Sequence, residues 1–292
     1  MKTICIYHSN CLDGFASAFI IWKTLGPKVE FIPAVYGKEP PWELLADSEV
    51  YIVDFSYPAD IMAKICEQAH YVTVIDHHES AIRKLAGFSA ENYTAKFDIT
   101  RAGTELTHEF FCQERKLPQI LQMLANRDLW NFSISGTKEV CAAMWEEDRT
   151  FERWDDLIYN MPSFYAVADL MVFGAKIIAM NARNIENLLR SGTRQVPGTT
   201  IPICNMPYIY ASEAGNILAQ GHPFSITYFD RSDCRQYSLR VADGDFNVAK
   251  LAEMYGGGGH KKAAGFTASL ASVSDGVPLG FEHSIAISQT RY

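Results

Sequence analysis

Three short polar strings combine carboxylates and imidazoles, and each directly follows an apolar, strand-like run. His8-Ser9-Asn10-Cys11-Leu12-Asp13-Gly14 follows Thr3-Ile4-Cys5-Ile6-Tyr7, Asp54 follows Val50-Tyr51-Ile52-Val53, and Asp76-His77-His78 follows Tyr71-Val72-Thr73-Val74-Ile75. Mixed carboxylate and imidazole donors suit manganese or a similar first-row divalent ion better than calcium or a structural zinc cage. Two such ions about 3.5–4 Å apart can clamp a phosphate, generate hydroxide and stabilise a leaving oxygen. An acid on a central strand is the natural bridge between them, and Asp54 is the candidate. Alone, residues 76–78 read equally well as a strand-end turn with a hydrogen-bonded histidine. The company of Asp13 and Asp54 at matching strand ends turns the reading toward metal.

Such side chains meet only if their strands lie side by side with their carboxyl ends along one edge. The patterning supplies that arrangement. Strands are predicted over 3–8, 28–35, 50–54 and 71–75, alternating with helices over 15–25 and 58–69. This rhythm implies a mostly parallel sheet with helices on both faces. Helical segments follow over 103–128 (broken near Leu117-Pro118), 137–147, 151–159 and 163–191. Strand-like pieces return at 201–206, 224–229 and 236–241, with a helix over 247–254. The predicted fold class is α/β, with two α/β domains. A metal-binding catalytic domain spans 1–160, a helical linker 161–195, and a smaller mixed-sheet substrate-binding domain 196–292. The last residues, from about Glu282, carry little pattern and read as a mobile end.

Composition narrows the partners. The chain has 292 residues and a formal charge of −8, too acidic for the extended basic face that long duplex nucleic acid requires. Small anionic ligands remain open, because bound cations can supply the local positive field. Seven scattered cysteines without a C-x-x-C pair suit reduced thiols in a cytoplasmic setting. No cationic stretch followed by a long apolar run opens the sequence, so neither a signal peptide nor membrane association is expected.

A further string, Gly256-Gly257-Gly258-Gly259-His260-Lys261-Lys262-Ala263-Ala264-Gly265-Phe266, carries a large entropic cost that needs a reason. The functional reason is close approach of backbone N–H groups to an anion, with His260 and a following helix start adding positive character. A flexible hinge is the bland alternative.

Taken in order, these strings resemble the DHH-family phosphoesterases that carry the DHH-associated C-terminal domain. That group includes RecJ-like exonucleases and small nano-RNases. The resemblance spans nearly the whole chain, adding Ser238-Leu239-Arg240 to the glycine string. It implies that His8 and Asp54 bind one metal and that Asp13, Asp54 and His77 bind a second. Asp128, in Asn126-Arg127-Asp128-Leu129-Trp130, matches the family's further metal acid. His78 matches a residue that touches the substrate phosphate. Arg240, Gly257, Gly258, Gly259 and His260 match the clamp on the far part of the nucleotide. One position departs from the pattern: Cys11 stands where the family usually has an acid. Cys11 then ligates the first metal itself, yields the place to Asn10 or water, leaves the site weakened, or merely packs as a small apolar side chain.

The resemblance implies a manganese-dependent phosphodiesterase, with magnesium or cobalt as alternatives, working by metal-bound hydroxide with Asp54, His78 and Asp13 at its centre. Its expected substrates are short single-stranded RNA or DNA, or linear dinucleotides, released as mononucleotides. The length leaves no room for the extra nucleic-acid domains of longer RecJ-like enzymes. Polyphosphatase or nucleoside-bisphosphate phosphatase activity is the enzymatic alternative. A nucleotide-binding sensor with a weakened metal site is the alternative from another class. Assembly as a homodimer stays open.

Overall fold

The computed structural model describes the chain except Asn10, Glu114, Pro162, Asp275, Arg291 and Tyr292; the side chains of Ser163, Phe164 and 286–290 are also outside the description. The chain divides into two compact units, Met1–Ala179 and Met180–Tyr292.

The first unit begins with β1 (Lys2–His8), α1 (Leu12–Leu25), β2 (Glu30–Ala34), β3 (Ser48–Val53), α2 (Ala59–Gln68), β4 (Tyr71–Asp76), α3 (Glu79–Lys84) and β5 (Tyr93–Phe97). The five strands form one sheet in the order β2-β1-β3-β4-β5, and every pairing is parallel. Alternation assigns the faces. Ile4, Ile6, Val50, Ile52, Val72 and Val74 pack on one side with Met62 and Ile65 of α2. Cys5, Tyr51, Val53 and Ile75 pack on the other with Ala18 and Ile21 of α1. Burial on both faces explains why the strands read as near-continuous apolar runs. The strand order reverses between β1 and β3, the switch point at which such sheets bind ligands beyond the strand ends. The first two polar strings leave the sheet there.

Helices α4 (Gly103–Cys112), α5 (Gln119–Asp128), α6 (Thr137–Glu146) and α7 (Phe151–Asp155) complete the unit. Phe15 and Phe19 of α1 pack with Leu121, Leu124, Met144 and the fully buried Trp154 in a second core. The next helix, α8 (Ser163–Gly192), runs through the division between the units. By length and composition alone, Tyr165–Gly192 could cross a membrane, a property that the reading of the chain start does not address. Ala166, Val167 and Leu170 are instead buried in the second core.

The second unit continues with β6 (Thr193–Gln195), β7 (Pro202–Asn205), α9 (Ala211–Leu218), β8 (Ser225–Asp230), β9 (Cys234–Arg240), α10 (Val248–Glu253), β10 (Gly258–His260), β11 (Ala263–Ser269) and α11 (Phe281–Thr290). Its six-stranded sheet has the order β10-β11-β9-β8-β7-β6 and is mixed, with only β7 and β8 parallel. The α/β expectation holds for both sheets. Two local expectations do not. No helix starts directly after His260; the chain turns at Lys261-Lys262 and returns as β11. The end of the chain is helical, anchored by buried Phe281 and Ile285 in the core of this unit. β5 was also absent from the sequence reading, being short, half-buried and without clean alternation.

Candidate metal centre

The three strand-end strings converge. Asp54 directly follows β3 and stays tied to the sheet through its N–H, which donates to Ile75 O at 2.9 Å. Its φ is 53°, in the left-handed region that aspartate tolerates better than most residues. The backbone turns there, and the carboxylate sits almost fully buried over the sheet edge.

Its two oxygens face different partners. Oδ2 lies 3.5 Å from His8 Nδ1 and accepts from Cys11 Sγ at 3.1 Å, while Sγ and Nδ1 are 3.5 Å apart. Oδ1 lies 3.0 Å from His77 Nε2. That nitrogen is also 3.4 Å from Asp128 Oδ2 and 3.6 Å from Asp13 Oδ2. Ligand atoms around one small divalent ion, bonded at about 2.0–2.3 Å, stand roughly 2.9–3.6 Å apart. Both groups meet that spacing, and they share Asp54. Asp13, Asp54 and His77 are about 1% exposed. Three carboxylates gathered in such a place call for compensating positive charge. The donor set therefore fits the expected pair of divalent cations.

The protonation pattern agrees. Burial, then the neighbouring Asp54 and Asp128 charges, push Asp13 well above the usual carboxylate range. Burial and Asp54 raise Asp128 as well, against the pull of His77. Burial opposes ionisation of Asp54, but hydrogen bonds from His77 and His8 hold it well below its ordinary value. Burial likewise opposes charge on His77, yet Asp54 and Asp128 raise its pKa well above normal. Burial, followed by Asp54, Asp13 and Asp128, pushes the Cys11 thiol far up. A cation would compete with protons at Asp13, Asp128, His77 and Cys11, whose pKa values are raised, and would meet Asp54 as the carboxylate.

Several supporting residues were not singled out by the sequence. Asp13 is gripped by the start of α4: Gly103 N–H donates to Oδ2 at 2.7 Å and Thr104 N–H to Oδ1 at 3.0 Å. Only glycine fits at 103, because a Cβ would stand 2.8 Å from Asp54 Cβ and 2.9 Å from Asp13 Oδ2. Gly14 is equally constrained, its missing Cβ falling 2.1 Å from His8 O. Cys11 caps α1, its sulfur accepting from Gly14 N–H at 3.0 Å. Asp76 organises the third string. Its Oδ1 accepts from His77 N–H at 2.7 Å and His78 N–H at 3.1 Å and pairs with His78 Nδ1 at 2.7 Å; its Oδ2 accepts from Ser56 Oγ–H at 2.5 Å. The half-exposed ring of Tyr36 packs 5.6 Å from His8 and 5.9 Å from His78. Burial and the charges of Asp76 and Asp54 keep its phenol protonated.

Other basic and aromatic side chains have partners of their own. Arg101 is held by Glu109. Tyr255, partly buried, stacks on Phe266 against the core of the second unit. Trp130 is partly exposed, with the Arg127 guanidinium 4.3 Å from its ring centre. Asn10 lies outside the described residues. In the second unit, Arg240 ends β9 and donates to Ser212 Oγ at 2.9 Å. Gly258, Gly259 and His260 form β10, paired with β11, and Gly257 precedes it. Cβ atoms at Gly257 and Gly259 would meet Gly265 O at 2.1 Å and Ala263 O at 2.5 Å, so close backbone packing accounts for both glycines.

No family model matches the chain. An uncharacterized protein of Acanthamoeba polyphaga mimivirus is 26% identical over 290 residues, covering 91% of this chain and 67% of that protein. Oligoribonuclease NrnB of Bacillus subtilis is 23% identical over 298 residues, covering 89% and 71%. Among solved structures, RecJ in complex with Mn2+ from Thermus thermophilus is similar in fold, with a TM-score of 0.55 at 14% identity over 100% of this chain and 52% of that one. In motif order and in fold the chain is similar to the DHH-family phosphoesterases.

Proposed function

We propose that this protein is a divalent-metal-dependent phosphodiesterase that cleaves short oligonucleotides or linear dinucleotides to mononucleotides. One observation carries the reading: the two oxygens of Asp54 face two separate donor groups, His8 with Cys11 on one side and His77 with Asp13 and Asp128 on the other. That is the donor arrangement of a bridged two-metal site. When bound, the cations would supply positive charge against phosphate oxygens and acidify a water.

The residues do the rest. Gly103 and Thr104 hold the Asp13 carboxylate in one orientation. Asp76 fixes the ring of His78, which is proposed to meet the substrate phosphate through its other nitrogen. Tyr36, a neutral donor, stands next to it. Cys11 is proposed as a ligand in the first donor group, so that group combines nitrogen, oxygen and sulfur. Arg240, Gly257, Gly258, Gly259 and His260 are proposed as further substrate contacts. The acidic chain and the likeness to an oligoribonuclease support short substrates over long duplexes.

The test is product analysis on end-labelled dinucleotides, trinucleotides and longer strands with Mn2+ and with Mg2+, run beside inorganic polyphosphate. Mononucleotides from the shortest strands are expected, and Asp54→Ala removes that activity. Polyphosphate cleavage with intact dinucleotide overturns the substrate. Activity of Asp54→Ala within about tenfold of the parent chain overturns the two-metal reading.

A further inference from the structure

The two donor groups that share Asp54 differ in chemistry. The first offers an imidazole, a sulfur and a carboxylate oxygen: His8 Nδ1, Cys11 Sγ and Asp54 Oδ2. The second offers one imidazole and three carboxylates, His77 with Asp13, Asp54 and Asp128. Thiolate ligands favour zinc over manganese and magnesium, whereas carboxylates suit the latter two. A single sulfur therefore separates two otherwise similar positions.

The spacing of the first group fits zinc. With Zn–S near 2.3 Å and Zn–N and Zn–O near 2.0 Å, donors at the corners of a tetrahedron stand roughly 3.3–3.6 Å apart. The three separations are 3.5 Å from Sγ to Nδ1, 3.1 Å from Sγ to Oδ2 and 3.5 Å from Nδ1 to Oδ2. Catalytic zinc sites carry three protein donors of this kind, the fourth corner serving water or substrate.

The sulfur is also held in place. Cys11 caps α1, and Gly14 N–H donates to its Sγ at 3.0 Å. Capping alone does not call for cysteine, because aspartate, asparagine and serine are the preferred caps. A cysteine that merely filled space would turn its sulfur toward apolar atoms. Here the sulfur meets an imidazole, a carboxylate and a backbone N–H.

We propose that the centre is heteronuclear, with the first position selective for Zn2+ and the second for Mn2+ or Mg2+. This rests on the two-metal reading given above. On binding, the Cys11 thiol loses its proton to solvent and the sulfur becomes a thiolate ligand. Mn2+ alone occupies both positions. Zn2+ outcompetes Mn2+ at most sites, so the thiolate decides which position takes Zn2+ first.

The experiment loads metal-free protein with one equivalent of Zn2+ and excess Mn2+, then removes free metal. Metal content, Zn X-ray absorption and electron paramagnetic resonance are read. One Zn2+ and one Mn2+ per chain are expected. The Zn2+ has a sulfur neighbour at about 2.3 Å. The Mn2+ signal lacks exchange coupling, because its neighbour is diamagnetic. Cys11→Asp, which keeps a good cap on α1, loses the sulfur neighbour. Titrating Zn2+ into Mn2+-loaded protein then needs at least about tenfold more Zn2+ to halve the coupled signal, the least effect of removing even a second-layer partner of a metal.

Zn2+ with only nitrogen and oxygen neighbours in the parent chain, or identical titrations of parent and variant, overturns the proposal. A single ion per chain overturns it together with the two-metal reading. A sulfur-bound Zn2+ beside Mn2+ in a protein that cleaves no dinucleotide supports the mixed centre and counts against the phosphodiesterase reading. Dinucleotide cleavage by a two-metal protein with no Zn–S bond does the reverse.

Discussion

Gly103→Ala adds one methyl group at the point where α4 meets the carboxylates. The new Cβ would lie 2.8 Å from Asp54 Cβ, 2.9 Å from Asp13 Oδ2 and 3.1 Å from Asp54 Oδ1. Ordinary contacts begin near 3.5 Å, so about 0.7 Å of movement is needed. Moving the start of α4 by that amount stretches the Gly103 N–H to Asp13 contact from 2.7 Å to beyond hydrogen-bond length. Moving Asp54 instead displaces the carboxylate proposed to bridge the two cations. Overpacking of this kind costs about 1–3 kcal/mol. For a chain of this size that lowers Tm by roughly 2–10 °C. A misplacement approaching 1 Å costs on the order of 100-fold in rate. The assay pairs a thermal melt of metal-free protein with Mn2+ titration and turnover. A variant that melts within about 1 °C of the parent and keeps both Mn2+ affinity and rate within about threefold would refute the reasoning.

Cys11 gives a spectroscopic expectation: Co2+ or Cd2+ added to the metal-free protein produces a sulfur-to-metal charge-transfer band, absent from Cys11→Ser and Cys11→Asp, whereas an identical spectrum in all three removes the thiolate as a ligand. Asp76→Asn weakens the hold on His78, so the rate falls about 10–100-fold, by analogy with partners that orient metal-site histidines. Mn2+ affinity survives this change, and a variant with unchanged kcat would show that His78 needs no orienting. The pH dependence follows from the raised pKa values of His77, Asp13 and Asp128. The stabilising contribution of His77 to the metal-free fold is full below its unfolded value and is lost as pH rises through its raised folded value. A cation must displace the same protons, so the rise in Tm caused by Mn2+ grows from about pH 6 to about pH 8.5. A constant or shrinking increment is the contrary result.

The gathering of acids and imidazoles was legible because side chains that converge at the edge of a parallel sheet must stand at the strand ends. His8, Asp13, Asp54 and His77 do so, and apolar runs buried on both faces mark those strands. Asp128 was legible only through family resemblance, since it closes a helix well away from any strand. The supporting residues were hidden by distance along the chain. Gly103 reaches Asp13 across 90 residues, and nothing in Ala102-Gly103-Thr104 announces that its N–H groups face a carboxylate. Asp76 was visible as part of a triplet, but its role depends on the turn that brings it beneath His78. The glycine run misled in one respect. Its predicted helix start gives way to β10 and β11, where Gly257 and Gly259 permit two backbones to touch.

The central claim is that Asp54 joins two cations. It is tested most directly by Mn2+ content and electron paramagnetic resonance of protein equilibrated with Mn2+ and freed of excess, for the parent chain and for Asp54→Ala. Two Mn2+ per chain with an exchange-coupled signal are expected in the parent, and at most one uncoupled ion in the variant, which keeps its fold by circular dichroism. A single Mn2+ in the parent chain, or a coupled pair that survives loss of the Asp54 carboxylate, would contradict it.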